Sequence, residues 1–153
     1  MGHAINANGN MILKSFQKFR LFATILPHAI FMISILNKRK ATDEQQENDS
    51  KPQKAADFIK RNAGKLTALS FLPMVIEEGV ASLRGQKVAK KFVENGDLSK
   101  EMFKKIKLTN LCGFSSYALK AISSALAVVF AIKVKDKIQT DYENQKLQNS
   151  ENI

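Results

Sequence analysis

Three stretches of apolar residues, separated by charged ones, organise this chain. The first, Leu21 to Leu36, is sixteen residues without Asp, Glu, Lys or Arg, set between Lys14, Lys18 and Arg20 on one side and Lys38, Arg39 and Lys40 on the other. As a helix it would be roughly 24 Å long against about 30 Å of hydrocarbon, so it reaches across a bilayer only if the flanking cations snorkel. Pro27 predicts a kink within it. Two processing readings compete with a span. The length fits the apolar core of a signal peptide, although no small-residue cleavage pattern follows, and the lack of any acid before Asp43 fits an organelle presequence.

The second stretch is interrupted. From about Ala55 the pattern is helical, with Leu66, Leu69, Pro73, Ile76, Val80 and Leu83 at three- and four-residue intervals, and Pro73 predicts a kink or a break between two helices. Glu77 and Glu78 stand side by side inside this run. Past Arg84 the helix becomes amphipathic, with Val88 and Phe92 on one side and Lys87, Lys90 and Lys91 on another, until Asn95-Gly96 stops it. Asp97 or Ser99 can cap the next helix, in which Leu98, Met102, Phe103 and Ile106 form an apolar stripe and Lys100, Lys104 and Lys107 face away. The third stretch, Leu108 to Ile132, has twenty-five residues with Lys120 as its only charge, enough to span a bilayer with some tilt. Lys133, Lys135 and Lys137 follow as an interfacial end.

The expected architecture is all-α: a helical hairpin or small bundle over 55–139, preceded by a separate apolar helix over 11–37 and associated with a membrane. A disordered tail over 1–10, a disordered linker over 38–54 and a polar tail over 140–153 that frays from Thr140 complete the chain, because segments so poor in apolar side chains bury too little surface to order themselves. The composition agrees, being low in Pro and Gly, without Trp, and rich in helix formers. A length of 153 residues suits one domain.

Charge sharpens the picture. The net +10 is uneven: residues 1–50 carry +2, residues 51–137 carry +10 and residues 138–153 carry −2. The turn region from Arg84 to Lys107 alone has eight basic residues against Glu94, Asp97 and Glu101. Anionic lipid head groups are the expected partner of Lys87, Lys90, Lys91, Lys100, Lys104 and Lys107, at about 1 kcal/mol per cation near a charged surface. Nucleic acid is disfavoured, because Arg occurs only at Arg20, Arg39, Arg61 and Arg84 and no aromatic pair alternates with the basic residues. Positive charge puts this turn on the cytoplasmic side.

Catalytic chemistry finds little support. His3 and His28 have no Cys, Asp or Glu at ligand or triad spacing, no phosphate-binding Gly pattern occurs, and no cofactor or metal site is expected. Neighbouring helix residues point about 100° apart, so Glu77 and Glu78 do not form a paired-carboxylate acid–base site. In a hairpin turning at Asn95 to Asp97 they fall opposite roughly Ser115 to Leu119, near Lys120, and a buried Glu–Lys pair is expected there. Small residues at four-residue spacing, Ala81, Gly85 and Ala89 on one helix and Ser123, Ala127 and Ala131 on the other, would let helix backbones approach or mediate homo- or hetero-oligomers. The expected role is that of a small basic membrane protein, structural or interacting, and not an enzyme. A soluble bundle binding acidic partners such as nucleic acid and an ion-conducting or permeabilising oligomer are the alternatives.

Overall fold

Capping chemistry and proline placement account for several of the points at which helices start and stop. The computed structural model describes residues 11–41, 43 and 49–151, and every regular element among them is an α-helix. In chain order these are α1 Met11–Lys18, α2 Arg20–Leu36, α3 Lys51–Arg61, α4 Ala63–Ser70, α5 Leu72–Glu94 and α6 Lys100–Glu151. Pro27 is accommodated inside α2. Pro73 stands in the first turn of α5, where a missing N–H costs nothing, and the interruption it predicts falls at Phe71. The Asn95-Gly96 stop is a Schellman closure. Gly96 takes φ +84°, its N–H reaches the Val93 carbonyl at 3.1 Å, and Asp97 N–H reaches the Phe92 carbonyl at 2.8 Å. Of the two capping residues considered for α6, Ser99 serves, its Oγ accepting from Met102 N–H at 3.1 Å.

Two segments depart from expectation. Helix α3 begins at Lys51 rather than near Ala55, because Ser50 Oγ accepts from Gln53 N–H at 3.4 Å and Pro52 is preset for a first turn. The end of the polar stretch 38–54 is therefore helical, while residues 42 and 44–48 of it, and the tail expected over 1–10, lie outside the described residues. At the other terminus α6 continues through Glu151 instead of fraying at Thr140. Thr140 Oγ1 bonds the Asp136 carbonyl at 2.9 Å, Gln139 Nε2 donates to Glu143 Oε1 at 2.9 Å, and Lys40 Nζ holds Glu143 Oε2 at 2.7 Å.

The described residues form two compact units. In the one comprising residues 11–25 and 69–123, α1 packs against α5, and α5 runs antiparallel to the start of α6. The register is marked by reciprocal bonds between Ser82 and Asn110, side chain to carbonyl, at 3.4 Å each way. A Cβ on Gly79 would sit 3.3 Å from the Phe114 ring, so the absent side chain is what admits the aromatic. In the unit comprising residues 26–68 and 124–151, Ile30, Ala63, Val128 and Ile132 form the core, with Ile35, Ile59 and Leu66 packed against it.

Two helical stretches, Ala63–Glu94 and Lys100–Ser150, are long and apolar enough to cross a membrane. A tight helix contact in the second unit makes a direct test of packing. A Cβ on Gly64 would lie 2.5 Å from Val129 Cγ2, a β-branched side chain with little rotamer freedom in a helix. Gly64→Ala should destabilise by about 1–3 kcal/mol in denaturant titrations followed by circular dichroism, although Ala is the better helix former. The double variant with Val129→Ala should recover most of that loss.

Candidate functional site

Glu77 has no exposed surface, and its charge is met from an unexpected direction. Arg20, the first residue of α2, donates from Nη2 to Glu77 Oε2, and the same nitrogen stands 3.8 Å from Glu78 Oε2. The Arg20 side chain remains 38% exposed, so one end of the pair touches the surroundings while the carboxylate does not. Packing of α1 on α5 brings Arg20 here, across 57 positions of sequence.

The partner expected from hairpin counting was Lys120, and the structure does not bring it to the carboxylates. Asn110 lies across from Ser82 and Phe114 across from Gly79, which carries Lys120 level with Phe71. Six residues of helix, about 9 Å, separate Phe71 from Glu77. The Lys120 ammonium lies 6.0 Å from the centre of the Phe71 ring, at the outer edge of cation–π range.

The lysines of the hairpin tip are all exposed: Lys87, Lys90 and Lys91 on α5, and Lys100, Lys104 and Lys107 on α6. Lys90 stands 3.6 Å from Glu94 and Lys105 3.2 Å from Glu101, exposed pairs that contribute little. Among the described residues the other five tip lysines have no carboxylate partner. The two small-residue stripes have different fates. Ala81 and Ala89 are buried and Gly85 half-buried, whereas Ser123 and Ala127 are exposed and Ala131 half-buried. Helix α6 turns Ala121, Val128 and Ile132 inward instead, a line set off from the Ser123 stripe by the helical rotation of about 100° per residue.

A second constellation, in the other unit, was not foreseen. Asp57, 4% exposed, accepts from Asn37 Nδ2 at 2.8 Å, Gln53 Nε2 at 2.7 Å and Arg39 Nη1 at 3.2 Å. Lys60, 3% exposed, donates to the Arg39 carbonyl, to the Asn37 carbonyl at 3.4 Å and to Asp136 Oδ1 at 2.7 Å. Lys135 Nζ reaches the same Asn37 carbonyl at 2.7 Å, and Ala41 N–H donates to Asp136 Oδ2 at 2.9 Å. Two lysines thus cover the C-terminal end of α2, where carbonyls and the helix dipole favour cations. Burial pushes the Asp57 carboxyl up, but its three hydrogen bonds outweigh that and hold it below the usual carboxylate range. The hydrogen bond to Glu143 raises Lys40 above an ordinary lysine.

Signals of this network exist in the sequence. Asp136 is the first acid after Glu101 and stands among Lys133, Lys135 and Lys137, and Asp57 and Lys60 share a helix face at three-residue spacing. Their partners, Asn37 and Arg39, lie in a stretch too polar to suggest order. Asp49 also accepts from Arg39 Nη2 at 2.6 Å, so three carboxylates meet three cations, an arrangement suited to fastening helices. Among the described residues no three His, Cys, Asp or Glu side chains converge to hold a metal ion; His3 lies outside them.

Arg20→Leu, which leaves the Glu77 carboxylate in an apolar interior without its guanidinium, should cost about 3 kcal/mol in unfolding free energy, the low end for breaking a buried pair because Arg20 is partly exposed. Adding Glu77→Leu should restore most of it, and Lys120→Gln should change stability by less than about 0.5 kcal/mol. For Asp57 the folded carboxyl titrates below the unfolded one, so its contribution is complete above the unfolded value of about 3.9 and is lost as pH falls through the folded value. Asp57→Asn should therefore flatten the dependence of stability on pH below about 4, measured by denaturant titration across an acid series.

Comparison with protein families, with curated proteins and with solved structures finds no match to this chain.

Proposed function

We propose that this protein is an integral membrane protein that fastens helices together and presents a lysine-rich hairpin tip to anionic head groups, with a structural or interacting rather than catalytic role. The observation that carries the reading is the long apolar surface that α6 leaves uncovered while polar groups are buried. The largest side chains buried without exposed surface are Glu77, Thr67 and Ser34, while Leu119, Ile122, Leu126 and Phe130 of α6 are 57–69% exposed. Of the apolar window of α6 only 17% is buried. Soluble domains rarely leave so continuous an apolar surface uncovered, and in lipid that surface carries no cost.

On this reading Leu108 to Ile132 crosses the bilayer, at roughly 37 Å of helix against a hydrocarbon core of about 30 Å. Lys100 to Lys107 and Lys133 to Lys137 occupy the two head-group zones. The Arg20–Glu77 pair explains how a carboxylate is tolerated within an apolar helix, since charges at membrane depth face protein and are paired. Positive charge favours a cytoplasmic location for the tip from Arg84 to Lys107.

Alkaline carbonate extraction of membranes from cells making the protein should leave it in the pellet; release into the supernatant would favour the soluble-bundle alternative. Orientation can be read with Cys112 replaced by Ser and one new cysteine introduced. Lys104→Cys should react with an impermeant maleimide only from the cytoplasmic side, and Leu119→Cys only after detergent is added.

A further inference from the structure

At the hairpin tip the two helices do not close on each other. An open groove of about 430 Å³ lies there, lined by the small residues Ala81, Gly85 and Ala89 and by Phe92, Leu98 and Ile106. That volume falls within the about 300–1,000 Å³ of small-ligand sites. Two carboxylates also line it. Glu78 stands 3.8 Å from Arg20, and Asp97 sits in a turn region where basic residues outnumber acids eight to three. The reciprocal Ser82–Asn110 bonds hold the helices together at this level, so the groove is a preformed feature of the hairpin.

An apolar slot beside unpaired cations matches the two halves of an acidic amphiphile. Lys87 and Lys91 belong to the same turns of α5 as Val88, Ala89 and Phe92, which line the slot, and Lys104 and Lys107 flank Ile106 on α6. We propose that the groove binds one acyl chain of an anionic phospholipid, with the phosphate held by the exposed lysines of the tip. This rests on the membrane reading above and adds to it a specific seat where that reading needs only a diffuse charged surface. A lipid is favoured over an acidic protein segment because the lining beyond the two carboxylates is predominantly apolar.

The test uses the full chain in phosphatidylcholine vesicles containing phosphatidylglycerol whose acyl chain bears a terminal diazirine. Photolysis should place label mainly on peptides holding Phe92, Leu98 and Ile106. Gly85→Leu fills the groove and should lower that labelling about tenfold, the equivalent of forfeiting two buried methylene groups, whereas Gly85→Ala should leave it unchanged. The combined Lys87→Gln, Lys91→Gln and Lys104→Gln variant touches no packing, so it decides the matter even if Gly85→Leu fails to fold. It should erase the preference for phosphatidylglycerol over a phosphatidylcholine carrying the same diazirine.

Labelling spread evenly over Leu119, Ile122 and Leu126 and indifferent to Gly85→Leu would overturn the seat while leaving the membrane reading intact. Cross-linking of a co-purifying protein at Phe92 or Ile106 would assign the groove to a partner and equally overturn it. Loss of the protein from carbonate-washed membranes would instead remove the reading on which the seat rests.

Discussion

A carboxylate with no exposed surface must have a cation brought to it, and in this protein that requirement governs how the chain is arranged around α5. Taking an ion out of water costs several kcal/mol after relaxation, and the Arg20 guanidinium offsets that cost at Glu77. The cation comes from the first residue of α2, so α1 must pack on α5 to deliver it. Another face of α5 meets α6, whose approach depends on small residues: Gly79 admits the Phe114 ring, and Gly85 faces Asn110. One helix is thereby pinned by charge on one flank and by shape on the other.

The second unit solves a similar problem with more partners. Asp57 and Lys60 are buried on one helix, and their bonds reach Asn37, Arg39, Gln53 and Asp136. Four bonds of this network, made by Lys60, Lys135 and Asp136, reach the Asn37 and Arg39 carbonyls and the Ala41 N–H, backbone groups beyond the end of α2. The polar interior therefore also completes the backbone. In both units charged or hydroxyl groups are buried beside a small apolar core, while many long aliphatic side chains of the helices are exposed. On the membrane reading proposed above that arrangement is expected, because in hydrocarbon van der Waals packing and polar contacts, and not burial of leucines, hold helices together.

Much of the local structure was legible from residue order. Pro73 and Asn95-Gly96 act through missing N–H groups and a left-handed backbone, both properties of single residues, and the breaks fall where those properties put them. Ser50 and Ser99 act through their nearest neighbours in the same way, and Ser50 with Pro52 starts α3 inside a polar stretch. The continuation of α6 to Glu151 was less visible, since Lys40, more than a hundred positions earlier, takes part in holding it.

By itself the sequence determined that this is a helical protein with three apolar stretches, basic boundaries and a lysine-rich turn, because helix propensity, periodicity and caps are short-range effects. Only the tertiary structure decided that Glu77 belongs to Arg20, that Lys120 rests against Phe71, that one small-residue stripe is buried and the other outward, and that Asp57 and Lys60 lie at the centre of a network. The reason is geometric. A shift of a few residues in helix register moves a side chain by a turn and a change of one residue rotates it by about 100°, so partners are set by packing of whole helices and not by the spacing of residues along the chain.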